Sequence, residues 1–115
     1  LARAFNNVLK NAISYSYPNT VIRVAVKQEA EHILLEFHNQ GDEIPEQKLE
    51  MIFEKFFRLD KARSTASGGA GLGLAIAKEI VEAHGGSIYA DSNMEETVFY
   101  IKLPMPATDT ELQSA

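Results

Sequence analysis

The sequence predicts an α+β fold: a two-layer α/β sandwich with helices packed on one face of a mixed, mostly antiparallel sheet. Three observations carry this. Two segments, at the start of the chain and after residue 72, repeat apolar residues at helical spacing. Two pairs of short runs alternate apolar and polar residues, each pair joined by a few polar residues. Their order, helix, strand pair, helical middle, helix, strand pair, gives hairpins whose apolar face the helices must cover.

In the first helix Leu1, Phe5, Val8, Leu9, Ala12 and Ile13 form the apolar stripe, and Pro18 and Asn19 end it. The pattern is already running at Leu1 with no capping residue ahead, so the sequence reads as a piece cut from something longer. Residues 20–27 form a strand with Ile22, Val24 and Val26 on one face. A hairpin turn at 28–31 leads to a second strand carrying Ile33, Leu35 and Phe37. After a loop at 39–45, a short helix is expected over 46–57, with Leu49, Ile52, Phe53 and Phe56 inward. Residues 58–70 are polar, small and glycine-containing, the composition of a mobile loop. A second long helix begins near Leu72, turns Leu72, Ile76, Ile80 and Ala83 to the core, and stops at Gly85-Gly86. Strands at 87–92 and 97–103 complete a single domain over 1–104, with 105–115 a flexible tail.

The chain has 115 residues, of which 45% are hydrophobic and 23% charged, the balance of an ordinary globular domain. The lack of cysteine excludes disulfides, thiolate zinc sites and cysteine nucleophiles. A formal charge of −5 argues against nucleic acid as partner. No apolar run approaches the roughly 20 residues needed to cross a bilayer.

Four features carry chemistry. Asn7 and Asn11 stand about 40° apart around the first helix, away from its apolar stripe. They are either two solvated polar residues or a pair of neutral oxygen ligands for a hard cation such as Mg²⁺. The run from Gly68 to Ala75 places glycines where an amphipathic helix begins. It is either a flexible linker or an anion site built from free N–H groups and the positive end of the helix dipole. Lys55, Arg58, Lys61 and Arg63 make residues 55–63 net +3 in an acidic chain. Such a stretch is either a solvated helix end or a polyphosphate-binding patch. Asn39 and Gly41 are either turn residues or a side-chain carbonyl reading an exocyclic amine beside a glycine that lets a flat base approach. His32, His38 and His84 form no metal or triad pattern.

Together these segments resemble the ATP-binding catalytic domain of sensor histidine kinases, within the gyrase/Hsp90/histidine-kinase/MutL superfamily. Asn7-Val8-Leu9-Lys10-Asn11-Ala12 resembles the N box, and 39–45 occupies the place of the first glycine box. Ile52-Phe53-Glu54-Lys55-Phe56-Phe57-Arg58 resembles the F box, and Gly69-Ala70-Gly71-Leu72-Gly73-Leu74 the second glycine box. The wording of 54–60 and 68–78 is most like the VanS-type vancomycin-resistance sensor kinases.

The resemblance implies a Bergerat-type sandwich that binds ATP (or ADP) with Mg²⁺ under a lid at about 59–70. The implied nucleotide-binding residues are Asn7, Asn11, Tyr15, Asn39, Gly41, Ile44, Lys55, Arg58, Arg63, Gly69, Gly71, Leu72, Gly73 and Leu74. Asn11 would hold the metal with help from Asn7, and no residue is assigned as a general acid or base. Implied partners are a dimerisation and histidine-phosphoacceptor domain of the same homodimeric parent, and a response regulator. The domain would lie on the cytoplasmic side of a bacterial membrane-bound sensor, without touching membrane or nucleic acid itself. A non-catalytic adenine-nucleotide module and an anti-sigma-factor-type serine kinase are the alternatives. Asn39 stands where the family has Asp, Glu43 where it has a second glycine, and Ser14 where it has a lysine. The first of these implies weaker adenine recognition rather than a different base.

Overall fold

A computed structural model describes residues 1–57 and 72–105. Helix α1 spans Ala2–Ser14, strands β1 and β2 span Arg23–Glu29 and His32–Asn39, helix α2 spans Gly73–Ala83, and strands β3 and β4 span Ser87–Ser92 and Thr97–Pro104. The four strands form one sheet in the order β1-β2-β4-β3. The sequence suggests a mixed sheet, but all pairings among the described residues are antiparallel.

Strand alternation orients the sheet. Phe37 pairs with Phe99 and Leu35 with Ile101 across β2 and β4, and β3 sets Ala90 beside Phe99 and Ile88 beside Ile101. These residues share one face and pack with Ala4, Val8 and Ala12 of α1 and Leu74, Ala77 and Val81 of α2. Ile52 and Phe53 close the same core.

Three expectations about the helices and the first strand shift. In α1 the buried stripe is Ala4, Val8 and Ala12, while Ile13 is exposed. α1 packs chiefly on α2, and small residues let the two backbones approach. In α2 the core face is Leu74, Ala77 and Val81; Leu72, Ile76 and Ile80 are only half-buried and Ala83 is exposed. This helix is wedged between α1 and the sheet, which rotates its buried stripe. β1 starts at Arg23 and leaves Val24 49% and Val26 66% exposed, although both share the face of Phe37 and Leu35. The described helices pack over β2 and β3, so this edge strand keeps the inward orientation without the cover.

The helix expected over 46–57 is replaced by two 3₁₀ turns, Glu46–Lys48 and Met51–Phe53. The chain turns extended at Glu54, and Phe56 adopts φ +68°, a conformation uncommon for a bulky residue. Phe56 is therefore 67% exposed instead of inward, and Phe57 packs against the core in its place. The end of α2 follows the glycine signal: His84 caps it, Gly85 takes φ +78°, and Gly86 donates to the carbonyl of Val81. Met105, placed in the tail by the sequence, donates to the carbonyl of Glu31; residues 106–115 lie outside the described residues.

Phe99→Ala should cost about 3–5 kcal/mol of unfolding free energy in a urea titration. Val26→Ala, on the same side of the sheet, should cost less than about 1 kcal/mol. Equal losses would show that the β1 end of this face is covered after all.

Candidate nucleotide site

The helix-covered face of the sheet is apolar along most of its length and turns polar in its last row. Asn39 of β2 pairs with Thr97 of β4, which pairs with Ser92 of β3. Asn39 and Thr97 are each 2% exposed. The Ser92 and Thr97 hydroxyls share a 2.6 Å hydrogen bond, and Ser92 Oγ accepts the N–H of buried Ile44 at 2.9 Å. Oδ1 of Asn39 is the exception: among the described residues it is the buried side-chain polar atom without a hydrogen-bond partner. An orphaned buried acceptor costs about 1–3 kcal/mol, a cost that an incoming donor removes.

The loop after Asn39 is stitched to the end of α1. Ser16 and Gly41 form an isolated antiparallel bridge, Tyr17 N–H donates to Gln40 O at 2.7 Å, and Tyr17 Oη donates to Asp42 Oδ1 at 2.8 Å. A methyl group built on Gly41 would collide with the carbonyl of Tyr15. Glycine is needed here by close backbone approach, which also sets Tyr15 beside the polar row.

At its other end α1 meets the start of α2. Asn7 Nδ2 donates to the carbonyl of Gly73 at 3.2 Å, which leaves Asn7 Oδ1 as the atom able to face a cation. Among the described residues no side chain caps α2, whose N-cap is Leu72, and a helix start of this kind offers first-turn N–H groups that an anion can accept. Among the described residues a methyl on Gly73 meets nothing within 4 Å. Asn7, Asn11 and Tyr15 recur every four residues along α1 and span about 12 Å of its axis, from the α2 N-terminus to the Asn39 row. Asn11 is half-buried midway, and Leu74 is buried beneath. Among the described residues no cluster of three or more His, Asp or Glu could hold a metal.

Not every expected residue joins this line. Lys55 lies on the surface in a 3.7 Å ion pair with Glu79, both side chains well exposed and the pair worth little. Arg58, Arg63, Gly69 and Gly71, with the expected lid at 59–70, lie outside the described residues. The sequence reading overlooked Ser92 and Thr97. Each occupies a core-facing position of its strand, two residues from Ala90 and Phe99, and a polar residue at such a position is the signal that marks them.

The opposite face of β2 carries a charged cluster. His38 Nε2–H donates to Glu36 Oε1 at 2.8 Å, and Lys27 pairs with Glu36 Oε2 at 3.0 Å. His38 Nδ1 lies 3.2 Å from Arg23 Nη2 and 3.1 Å from Glu96 Oε1. It can accept from the first or donate to the second, but not both at once. Burial alone would raise the Glu36 pKa; hydrogen bonds from His38 and Lys27, with their charges, outweigh it and hold the carboxyl below its ordinary 4.5. Burial, reinforced by Glu36 and Asp91, pushes Tyr100 up. Tyr100 stacks on Tyr89 at 4.9 Å between ring centroids.

Residues 1–107 match the histidine kinase-, DNA gyrase B- and HSP90-like ATPase family, and the chain belongs to it. Within that family it is similar to sensor protein VanS of Enterococcus faecium, 56% identical over 104 residues, which are 90% of this chain and 27% of VanS. In fold it matches the mycobacterial sensor histidine kinase MprB at TM-score 0.77 and 37% identity, covering 90% of this chain and 70% of that one. It also matches histidine kinase ThkA in complex with response regulator TrrA, at TM-score 0.73 and 28% identity, covering 90% of this chain and 28% of that one. The chain thus spans about a quarter of the length of the sensor protein it resembles.

Gly73→Ala should leave the unfolding free energy within about 1 kcal/mol of the unaltered chain. Gly41→Ala should lower it by about 1–3 kcal/mol through the forced backbone shift. Urea midpoints of the two variants check both. The lowered Glu36 pKa contributes stability that is fully present above pH 4.5 and is lost as pH falls through the lower folded value. Glu36→Gln should therefore flatten the acid limb of stability against pH, and an unchanged slope would remove Glu36 as its source.

Proposed function

We propose that this chain is the nucleotide-holding catalytic domain of a bacterial sensor histidine kinase, and that it binds ATP, or ADP as product, with Mg²⁺. The observation that carries the reading is the line of Asn7, Asn11 and Tyr15 along α1. It joins a buried row with an unsatisfied acceptor at one end to a helix N-terminus without a side-chain cap among the described residues at the other. A base has a donor to give at the first end, and phosphates have N–H groups to receive at the second.

In this reading Asn39 accepts the exocyclic amine of adenine, with Gly41, Ile44 and Tyr15 shaping the base site. Asn11 and Asn7 hold Mg²⁺, a cation that keeps several waters and shares its site with phosphates. The first turn of α2, at Leu72, Gly73 and Leu74, receives the phosphates. Arg58 and Arg63, with Gly69 and Gly71, complete their surroundings. Mg²⁺ would neutralise phosphate charge, and the chain itself supplies position. No general base is assigned, because phosphoryl transfer depends on alignment and charge neutralisation. The bond between the γ-phosphorus and the β–γ bridging oxygen breaks, a bond to an imidazole nitrogen of the acceptor forms, and ADP leaves.

The acceptor histidine belongs to a dimerisation and phosphoacceptor domain of the same parent. A response regulator is the further partner, a reading supported by the similar kinase whose structure includes one. The parent would be a homodimeric membrane sensor, and this domain its cytoplasmic part. Among the described residues no helix is long and apolar enough to cross a membrane.

Calorimetric titration with a non-hydrolysable ATP analogue should show saturable binding that Mg²⁺ strengthens. Asn11→Ala should abolish the Mg²⁺ dependence while leaving unfolding cooperative; retained dependence would move the metal elsewhere. Incubation with ATP and an intact acceptor domain should yield acid-labile phosphohistidine. Nucleotide binding without that product would favour a non-catalytic module.

A further inference from the structure

The buried row at the base end of the site contains no charged side chain. It is Asn39, Thr97 and Ser92, an amide and two hydroxyls, with Gly41 alongside. Asn39 is 2% exposed, and its Oδ1 has no partner among the described residues. Such an amide can turn by half a rotation, offering either a carbonyl oxygen or an NH₂ group. Hydroxyl protons rotate as freely, and the Ser92–Thr97 bond can run in either direction.

Purines differ at the matching positions. Adenine carries an amino donor at C6 and a bare acceptor at N1. Guanine and hypoxanthine carry a carbonyl acceptor at C6 and an N–H donor at N1. A carboxylate only accepts, so it meets the amine and repels the 6-oxo group. An amide flanked by hydroxyls can complement both patterns by reversing its own.

On the nucleotide-site reading above, we propose that this chain binds 6-oxopurine nucleotides as well as adenine nucleotides, and that Asn39 is the specificity-determining residue that relaxes the choice. The sequence alone implies only that adenine is held more weakly. The unpartnered amide oxygen in a row of neutral groups extends this to weakened discrimination between the two purine classes.

The test is calorimetric titration of the 115-residue chain with ADP, IDP and GDP in Mg²⁺, with CDP as control. IDP isolates the C6 and N1 groups, since it lacks the 2-amino group of guanine. IDP should bind within about tenfold of ADP, because each base is met by equivalent neutral hydrogen bonds. In Asn39→Asp, ADP should tighten and IDP weaken, widening the ratio by at least about tenfold. The unaltered chain judges the proposal alone if that variant does not fold. ADP preferred over IDP by about a hundredfold or more would overturn the relaxed choice while leaving the nucleotide site standing, as would an Asn39→Asp ratio equal to the original. Failure of every nucleotide to bind would remove the site itself, and with it the proposal. CDP binding as well as the purines would show that the row does not read the base.

Discussion

The pairing of β2 with β4 is the interaction on which the rest of the molecule depends. It runs unbroken from His32 opposite Pro104 to Asn39 opposite Thr97. A slip of one residue would exchange the two faces of β2. Glu36 and His38 would then lie under the helices, and Phe37 would leave the core. Both faces penalise that slip. Leu35 and Phe37 need the helix side, while Glu36 and His38 need Lys27, Arg23 and Glu96 on the other. A strand buried on both sides with different chemistry on each has one register, and that register brings Asn39 level with Thr97.

From this pairing the site follows in steps. β3 adds Ser92 to the row, and Ser92 ties down Ile44. The loop leaving β2 can meet α1 only because Gly41 has no side chain. That contact fixes where α1 ends, and the rise of the helix then carries Asn11 and Asn7 toward the start of α2. The hydrogen bond from Asn7 to Gly73 closes the circuit between the two helices. Positioning therefore comes from backbone contacts and packing, while the groups left to a ligand among the described residues are neutral amides, hydroxyls and helix-end N–H groups.

Periodicity, glycine placement and motif order made the fold class, the family, all four strands and both long helices legible from residues alone. Those signals are local: alternation names a strand, and a Gly-Gly pair stops a helix. The middle segment was misread because Leu49, Ile52, Phe53 and Phe56 satisfy a helical spacing that the backbone abandons at Glu54. Phe56 and Phe57 exchange roles there through one left-handed residue, which no apolar pattern reports. The buried faces of α1 and α2 were rotated from expectation because each helix answers to its neighbour helix as well as to the sheet.

The candidate site divides in the same way. Asn7, Asn11, Asn39, Gly41 and Gly73 stand out in the sequence by residue type and spacing. Their relation in space depends on partners distant along the chain, Asn7 with Gly73, Tyr15 with Gly41, and Asn39 with Thr97. Ser92 and Thr97 carry no motif, and only strand pairing shows them completing the row. Residue type and spacing thus specify which chemistry is on offer, because they act within one or two turns of chain. Which groups meet, and which acceptor is left without a partner, depends on packing between segments far apart in sequence.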